Sequence, residues 1–290
     1  MHRQNITIAQ KAVALAAVLI SVPAFAQYGA PPPAYPPGEL ERLVSRIALY
    51  PDPLLAQILA AATYADQIPD AAAWADRHHY LNGDQLARSI SEDRLPWDPS
   101  VQALLPFPSV LDMMRADMNW TSQLGNAFLA QPQDVMDAVQ RMRQRARDYG
   151  YLRSNGQIVV GGSGPYIEIM PVNPGYMIVP YYDPLVVYAR PRPGFVVTSG
   201  INFGFGVAIG SAFRPWGWGG DRFVWSNHTV IVNNRGWDRR WVNRTTYVHP
   251  YEVQRYNAPR VEERHEVRER PREVRERERP GRYREHDRRR

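Results

Sequence analysis

Two acidic side chains at helical spacing are the first candidates for chemistry in this sequence. Asp134 and Asp137 stand three residues apart in a segment with helical periodicity, so their carboxylates share one face and could reach one substrate. Two carboxylates are what glycoside hydrolysis requires. Both acids also fall in the first turn of the predicted helix, where the helix dipole stabilises negative charge. We take this structural role as the leading interpretation and keep hydrolysis of a cell-wall polymer as the alternative.

Histidine and serine supply no complete catalytic or metal-binding motif. His78 and His79 are adjacent, so on a helix they point about 100° apart and cannot chelate one ion from one face. Ser163 follows Gly161 and Gly162, but Pro165 stands where the G-x-S-x-G motif requires glycine. The sequence therefore indicates no catalytic, metal-binding or cofactor-binding residue.

The amino-acid composition excludes several kinds of chemistry. Lys11 is the only lysine, and the chain contains no cysteine. Once residues 1–26 are removed, no lysine remains for a Schiff base or a lysine-bearing phosphate loop. The lack of cysteine excludes thiol nucleophiles, thiolate zinc sites, disulfides and lipid attachment at cysteine.

Residues 1–26 have the three parts of a secretory signal. A basic start is followed by an apolar run at 12–22 and by the small-x-small sequence Ala24-Phe25-Ala26. We expect cleavage between Ala26 and Gln27. The apolar run is too short to remain in a bilayer as a spanning helix. The segment therefore predicts export of the mature chain.

The sequence pattern changes at Gly150, from helical periodicity before it to short β-rich runs after it. Residues 27–38 form a proline-rich, extended leader, and residues 39–149 carry helical periodicity. Asp52-Pro53 and Asp98-Pro99 each predict a helix start, with aspartate as the N-cap and proline at the first helical position. Residues 39–149 therefore predict a bundle of short helices.

After Gly150, short β-rich runs alternate with glycine and proline. The runs are residues 157–160, 166–170, 176–180 and 185–188. Because proline cannot donate to a strand ladder, these runs are confined to edge strands or extended segments. The expected fold class is α+β, with a bundle of short helices, an irregular Pro/Gly-rich β region and a disordered charged tail.

Several runs are specific enough to compare with known families. They are Leu49-Tyr50-Pro51-Asp52-Pro53-Leu54-Leu55-Ala56-Gln57-Ile58-Leu59, Trp97-Asp98-Pro99-Ser100-Val101, Trp120-Thr121 with Leu124-Gly125, Gln140-Arg141-Met142-Arg143, and Val179-Pro180-Tyr181-Tyr182-Asp183-Pro184 with Val187-Tyr188. In these runs the chain resembles, over residues 39–250, a bacterial family known as domain of unknown function 3300. The resemblance implies an exported envelope protein and assigns no active site.

The uncharged segment 195–213 allows three interpretations. Its 19 residues are near the minimum for a membrane helix, and its paired glycines suit helix packing in lipid. From residue 201 onwards, large side chains such as Phe203 and Phe205 alternate with small ones. This period of two predicts a strand packed against another strand or chain. A flexible glycine-rich loop is the third interpretation.

Aromatic residues give the stronger functional signal. Tryptophan and tyrosine rings stack on sugars or anchor protein interfaces, and the second half is rich in both. The candidate interaction residues are Phe203, Phe205, Trp216, Trp218, Trp225, Tyr181 and Tyr182. Their expected partner is a protein, a glycan or a membrane surface of the envelope.

The end of the chain differs from the rest in its charge. Residues 260–290 contain 13 arginines and 9 acids, a net charge of +4 that equals the net charge of the whole chain after residue 26. Mixed charge without apolar spacing cannot bury a core, so we expect disorder. The arginines could bind phosphates or anionic lipid heads, or only keep the protein soluble. Because the body is nearly neutral, nucleic acid is not an expected partner.

The sequence therefore predicts five segments. They are a signal peptide at 1–26, a Pro-rich leader at 27–38, a helical domain at 39–149, a β-, Pro-, Gly- and aromatic-rich region at 150–257 and a disordered Arg/Glu tail at 258–290. The expected function is a non-enzymatic interaction or structural module in the periplasm or envelope of a Gram-negative bacterium. Membrane association through 195–213 is one form of this hypothesis. The sequence specifies no cofactor and no oligomeric state.

Overall fold

Short helices from the first half of the chain enclose a hydrophobic core, and strands from the second half cover part of it. The computed structural model describes residues 33–162, 164–194, 197 and 200–239. The predicted signal peptide with its cleavage site at Ala26 and Gln27, most of the leader, Ser163 and the charged tail lie outside these ranges, as do four residues of the uncharged segment. All described residues belong to one compact unit.

The described part of the chain contains nine α-helices. They are α1 (Pro37–Val44), α2 (Asp52–Ala62), α3 (Ile68–Arg77), α4 (Gly83–Glu92), α5 (Pro99–Gln102), α6 (Pro108–Ala116), α7 (Met118–Ala130), α8 (Pro132–Asp148) and α9 (Pro184–Val187). Helix α2 is buried along its whole length, because α5, α7 and the strands of the second half surround it. It is the central element of the core.

Proline occupies one of the first two positions in most of these helices, where its missing N–H costs no hydrogen bond. The predicted start at Asp98-Pro99 is confirmed, since the Asp98 carboxylate accepts a hydrogen bond from the Ser100 N–H at 2.9 Å. The N-cap prediction for Asp52 is wrong. Pro51 holds that position, and the Asp52 side chain makes no cap hydrogen bond.

The strands form four small antiparallel sheets within the described residues. Their bounds are β1 (Ile158–Gly161), β2 (Glu168–Pro171), β3 (Tyr176–Met177), β4 (Pro180–Tyr182), β5 (Ile201–Phe203), β6 (Val207–Ala208), β7 (Arg222–Val224), β8 (Thr229–Val232) and β9 (Arg235–Gly236). The pairs are β1 with β2, β3 with β6 and β4 with β5, and β7, β8 and β9 form a three-stranded sheet. The predicted α+β class, with helices first and short strands after them, is confirmed.

In the second half, the structure overturns the strand predicted at 185–188 and contains strands where the sequence alternates from residue 201. The strand expected at 185–188 is instead the one-turn helix α9, which begins after Asp183 because the Asp183 carboxylate accepts the Leu185 N–H at 2.8 Å. The alternation from residue 201 corresponds to strands β5 and β6, which pair with β4 and β3. No helix among the described residues is long and apolar enough to cross a membrane.

Both sides of the predicted boundary at Gly150 share one core. Side chains from α2, α5 and α7 pack in the same apolar cluster as Phe213, Trp216, Phe223 and Val230 of the second half. A smaller cluster joins Leu49 and Ala146 to the apolar side chains of β1 and β2. The second half is thereby held against the helices along much of its described length.

Candidate interaction site

A cavity of about 610 Å³ opens between the two halves of the chain. The helical half contributes Arg46, Tyr50, Ser109 and Met113 to its wall. The second half contributes Val179, Pro180, Tyr181, Tyr182, Pro184, Gly204, Phe205 and Val207. Because most of this wall is apolar, the cavity suits an apolar group that needs few polar contacts.

Tyr182 fixes one wall of the cavity to the helices. Its hydroxyl donates to the carbonyl oxygen of Ser45 at 2.9 Å and accepts the N–H of Leu49 at 3.3 Å. Its ring packs edge-on against Tyr50 and Tyr188, at centroid distances of 6.3 and 6.2 Å. Strand β4 is thus attached to the turn that follows α1.

Burial keeps these three tyrosines protonated. It raises the pKa of Tyr50 to about 12, and it raises the pKa values of Tyr182 and Tyr188 well above the usual 10. A phenol that is neutral at physiological pH can donate a hydrogen bond, as the Tyr182 hydroxyl does to the Ser45 carbonyl oxygen. The tyrosine wall is therefore a packing and anchoring element.

Large apolar side chains of the cavity wall, and of the turn that follows Pro184, face solvent. Phe205 is 100% exposed and Tyr181 is 79% exposed. Leu185 and Val186, which directly follow the cavity-lining Pro184, are 85% and 44% exposed. We call Tyr181, Leu185, Val186 and Phe205 the apolar rim. Clustered exposure of this kind marks interaction sites on folded proteins.

Backbone pairing explains why the rim points outward. In β4, successive side chains alternate between faces, so Tyr182 turns inward and Tyr181 outward. In α9, Val187 enters the smaller core and Leu185 remains outside. Phe205 stands in the short connection between β5 and β6, where it has no strand partner.

One charged pair borders the cavity. The Arg46 guanidinium lies 3.1 Å from the Asp117 carboxylate and 5.2 Å from the centre of the Trp120 ring. The pKa of Asp117 is lowered, chiefly because its carboxylate accepts the Trp120 N–H and also because Arg46 is near. Both side chains are substantially exposed, so this pair contributes little to stability.

The candidate tryptophans lie in the core. Trp216, Trp218 and Trp225 are all buried. Their indole N–H groups donate, in that order, to the Gln102 side chain at 2.9 Å, the Ala103 carbonyl at 3.1 Å and the Asp52 carboxylate at 2.9 Å. These rings attach the second half to α2 and α5.

The remaining candidates are divided between the cavity and its surroundings. Tyr181, Tyr182 and Phe205 line the cavity. Phe203 is half-buried and packs against the smaller core. The structure thus brings three of the seven candidate residues together at one site.

Sequence reasoning missed Arg143, the most buried charged side chain among the described residues. Its guanidinium contacts Asp52 at 2.6 Å and donates to the carbonyl oxygens of Ala48, Ile167 and Tyr50 at 2.8, 2.8 and 3.0 Å. The available signal was its position on α8, seven residues after the buried Met136. An arginine on the apolar face of a helix indicates a buried ion pair.

The two acids of the hydrolase hypothesis are buried and hydrogen-bonded. Asp137 lies 2.7 Å from the Nε2 atom of His228, and Asp134 accepts the Gln131 side-chain amide at 3.0 Å. Neither carboxylate lines the 610 Å³ cavity. The Asp137 contact joins α8 to the segment after β7. The Asp134 contact is local, because Gln131 directly precedes α8.

His78 and His79 line a second cavity of about 420 Å³, and Val207 contributes to the walls of both cavities. The His78 ring stacks on Trp74 with a centroid distance of 3.9 Å. Within the described ranges, no three His, Cys, Asp or Glu side chains are grouped to hold a metal ion.

Comparison with known proteins places the chain in a family. A relative from Escherichia coli (strain K12), described as "Uncharacterized protein YacH", is 33% identical over 189 residues. The match covers 54% of this chain and 30% of the relative, so the chain spans less than a third of that protein's length. No solved structure matches the chain. The family described as "Protein of unknown function (DUF3300)" matches residues 36–264, and the chain belongs to it.

Proposed function

We propose that the mature chain is an exported, non-enzymatic protein of the cell envelope that binds a partner through the apolar rim and its cavity. One observation carries this proposal. Tyr181 and Phe205 are largely exposed where they line a 610 Å³ cavity whose wall comes from both halves of the chain, and the exposed Leu185 and Val186 directly follow the lining residue Pro184. A folded protein that keeps such a surface in water gains from covering it with a partner.

The chemistry of the wall supports binding over catalysis. Among the described residues that line the cavity, the ionisable side chains are those of tyrosine and Arg46. The buried tyrosines stay neutral, and Arg46 is paired with Asp117. Ser109 has no histidine or carboxylate beside it in this wall to act as a base. These properties favour recognition of an apolar group.

The export part of the proposal has a direct test. The full-length protein is produced in a Gram-negative host, and the cells are fractionated, followed by carbonate extraction of the membranes. We expect a product that begins at Gln27 in the periplasmic or membrane fraction. An unprocessed chain that begins at Met1 and stays in the cytoplasm would overturn this part.

The binding part is tested by site-specific photo-cross-linking in cells. A photoreactive phenylalanine analogue replaces Phe205, and in a matched control it replaces Val159, which is 49% exposed on strand β1. We expect a specific protein or lipid adduct at position 205 that is absent at position 159. Release of the protein into the soluble periplasm without any adduct at 205 would contradict the proposal.

The hydrolase alternative makes an opposite prediction. It requires purified protein to degrade peptidoglycan and to lose that activity in Asp137→Asn. We expect no turnover by the unaltered protein. Turnover that disappears in this single variant would replace the binding proposal with catalysis.

A further inference from the structure

The apolar rim is too small for a stable protein interface. Its aromatic side chains bring at most about 150–250 Å² each, and the aliphatic ones less, so the exposed total is roughly 500 Å². A standard interface needs about 800 Å² from each partner. A second copy of the chain would therefore have to bury much polar surface around the rim.

The side chains of the rim have the composition of a membrane-interface contact. Phe205 and Leu185 are almost fully exposed and purely apolar, and Tyr181 adds a ring with one polar end. Such side chains partition into the boundary between lipid headgroups and acyl chains. Tyr181 and Phe205 line the same cavity from two different segments, and Leu185 directly follows the cavity-lining Pro184.

Positive charge follows Leu185 and Val186 closely along the chain. Arg190 and Arg192 come just after α9, are exposed, and form no ion pair within the described residues. The acids near the rim have other roles, since Asp183 caps α9 and Asp117 pairs with Arg46. Exposed arginines beside an apolar contact attract anionic lipid headgroups.

We propose that the rim inserts into the interfacial layer of an anionic lipid bilayer, with Arg190 and Arg192 at the headgroups. This inference rests on the proposed function and names the partner of the same site. Apolar insertion and charge attraction act together, because either one alone gives only weak and reversible attachment. A glycan fits the rim less well, since sugars need several hydrogen-bond partners and the rim offers a single hydroxyl.

The test uses the mature chain, residues 27–290, sedimented with vesicles of equal parts phosphatidylcholine and phosphatidylglycerol. The double variant Leu185→Ser and Phe205→Ser should lower vesicle affinity by about tenfold or more, because two apolar side chains no longer leave water. The matched control is Val159→Ser with Val172→Ser, two half-exposed valines that are not part of the rim. This control should bind as the unaltered chain does.

A charge variant tests the lipid class. Arg190→Gln with Arg192→Gln should weaken binding to phosphatidylglycerol vesicles and leave the small binding to pure phosphatidylcholine unchanged. Circular dichroism spectra should be the same for all variants, since every substituted side chain is substantially exposed.

Two results would overturn the inference. One is a lack of sedimentation with anionic vesicles, and the other is an equal loss of binding in the valine control. If the chain does not sediment with anionic vesicles but position 205 cross-links to a protein in cells, the proposed function stands and its partner is a protein. If the chain does not sediment with vesicles and position 205 also gives no adduct, both proposals are wrong.

Discussion

Arg143 and Asp52 form an ion pair of 2.6 Å in which the side chains are 0% and 3% exposed. Arg143 belongs to α8, and Asp52 is the first residue of α2. The second carboxylate oxygen of Asp52 accepts the indole N–H of Trp225, and the guanidinium lies 5.0 Å from the centre of that ring. One buried pair therefore joins two helices of the first half to the second half.

Replacing Arg143 should strongly destabilise the fold. Arg143→Met leaves the Asp52 carboxylate buried without its cation, so the free energy of unfolding should fall by about 3–5 kcal/mol. Urea denaturation of a chain that comprises residues 27–290 measures this value. The control Arg46→Met removes an exposed pair with Asp117 and should cost about 1 kcal/mol or less. Equal losses in the two variants would show that the buried pair is not a main connection.

The two Asp-Pro signals show how far sequence reasoning reaches. Both stand at the start of a helix, and Asp98 acts as an N-cap as predicted. Asp52 does not, because a buried arginine from α8 binds its carboxylate. Local sequence can predict where each helix starts, since capping depends on neighbouring residues. It cannot predict a partner that only packing brings near.

The adjacent residues Tyr181 and Tyr182 allow a matched test of the cavity wall. Tyr182→Phe removes the hydroxyl that bonds Ser45 and Leu49, so the free energy of unfolding should fall by about 1–2 kcal/mol. Tyr181→Phe changes an exposed hydroxyl and should alter it by less than about 0.5 kcal/mol. Thermal unfolding of both variants measures the difference. A loss in Tyr181→Phe as large as in Tyr182→Phe would contradict this account of the wall.

Gly125 permits the close approach of α7 to α2. A Cβ atom at this position would lie 2.0 Å from the carbonyl oxygen of Ala62, a backbone atom that cannot move without shifting α2. Gly125→Ala should therefore cost about 1–3 kcal/mol of stability, seen as a lower urea midpoint.

The matched control for this prediction is Gly38→Ala in α1. A Cβ atom there meets nothing within 4 Å, so alanine should be neutral or should stabilise the helix by up to about 1 kcal/mol. If both glycines respond alike, helix propensity rather than helix spacing would explain the result.

The second half was harder to predict because its elements are short. Asp183-Pro184 carries the same start signal as Asp98-Pro99, but the β-prone side chains that follow it predict a strand, and the structure has a helical turn. Burial was equally difficult to predict. Without a regular period between glycines and prolines, the sequence cannot separate the buried Trp225 from the exposed Phe205. Only the packed structure separates core rings from surface rings.

Asp221 is a buried carboxylate with no cation beside it in the described structure. It is 4% exposed, and burial raises its pKa to about 7, although the Asn233 N–H at 2.7 Å and the Gln57 amide both donate to it. The side-chain oxygen of Asn233 is also buried, and it has no hydrogen-bond partner among the residues that the structure describes. Both side chains approach Gly217, where a Cβ atom would lie 2.4 Å from the Asn233 oxygen and 2.8 Å from an Asp221 oxygen.

These contacts predict how stability depends on pH. The pKa of Asp221 is higher in the folded chain than in the unfolded chain, where it is about 3.9, so folding favours the protonated form. Its stabilising contribution is complete below about pH 4 and is lost as the pH rises through about 7. Asp221→Asn abolishes this titration. The urea midpoint of the variant, relative to that of the unaltered protein, should therefore be higher at pH 8 than at pH 5. The exposed acid Asp148 provides the control, since Asp148→Asn should show no such difference. A relative midpoint of Asp221→Asn that is the same at both pH values would mean that the Asp221 carboxylate is ionised throughout this range.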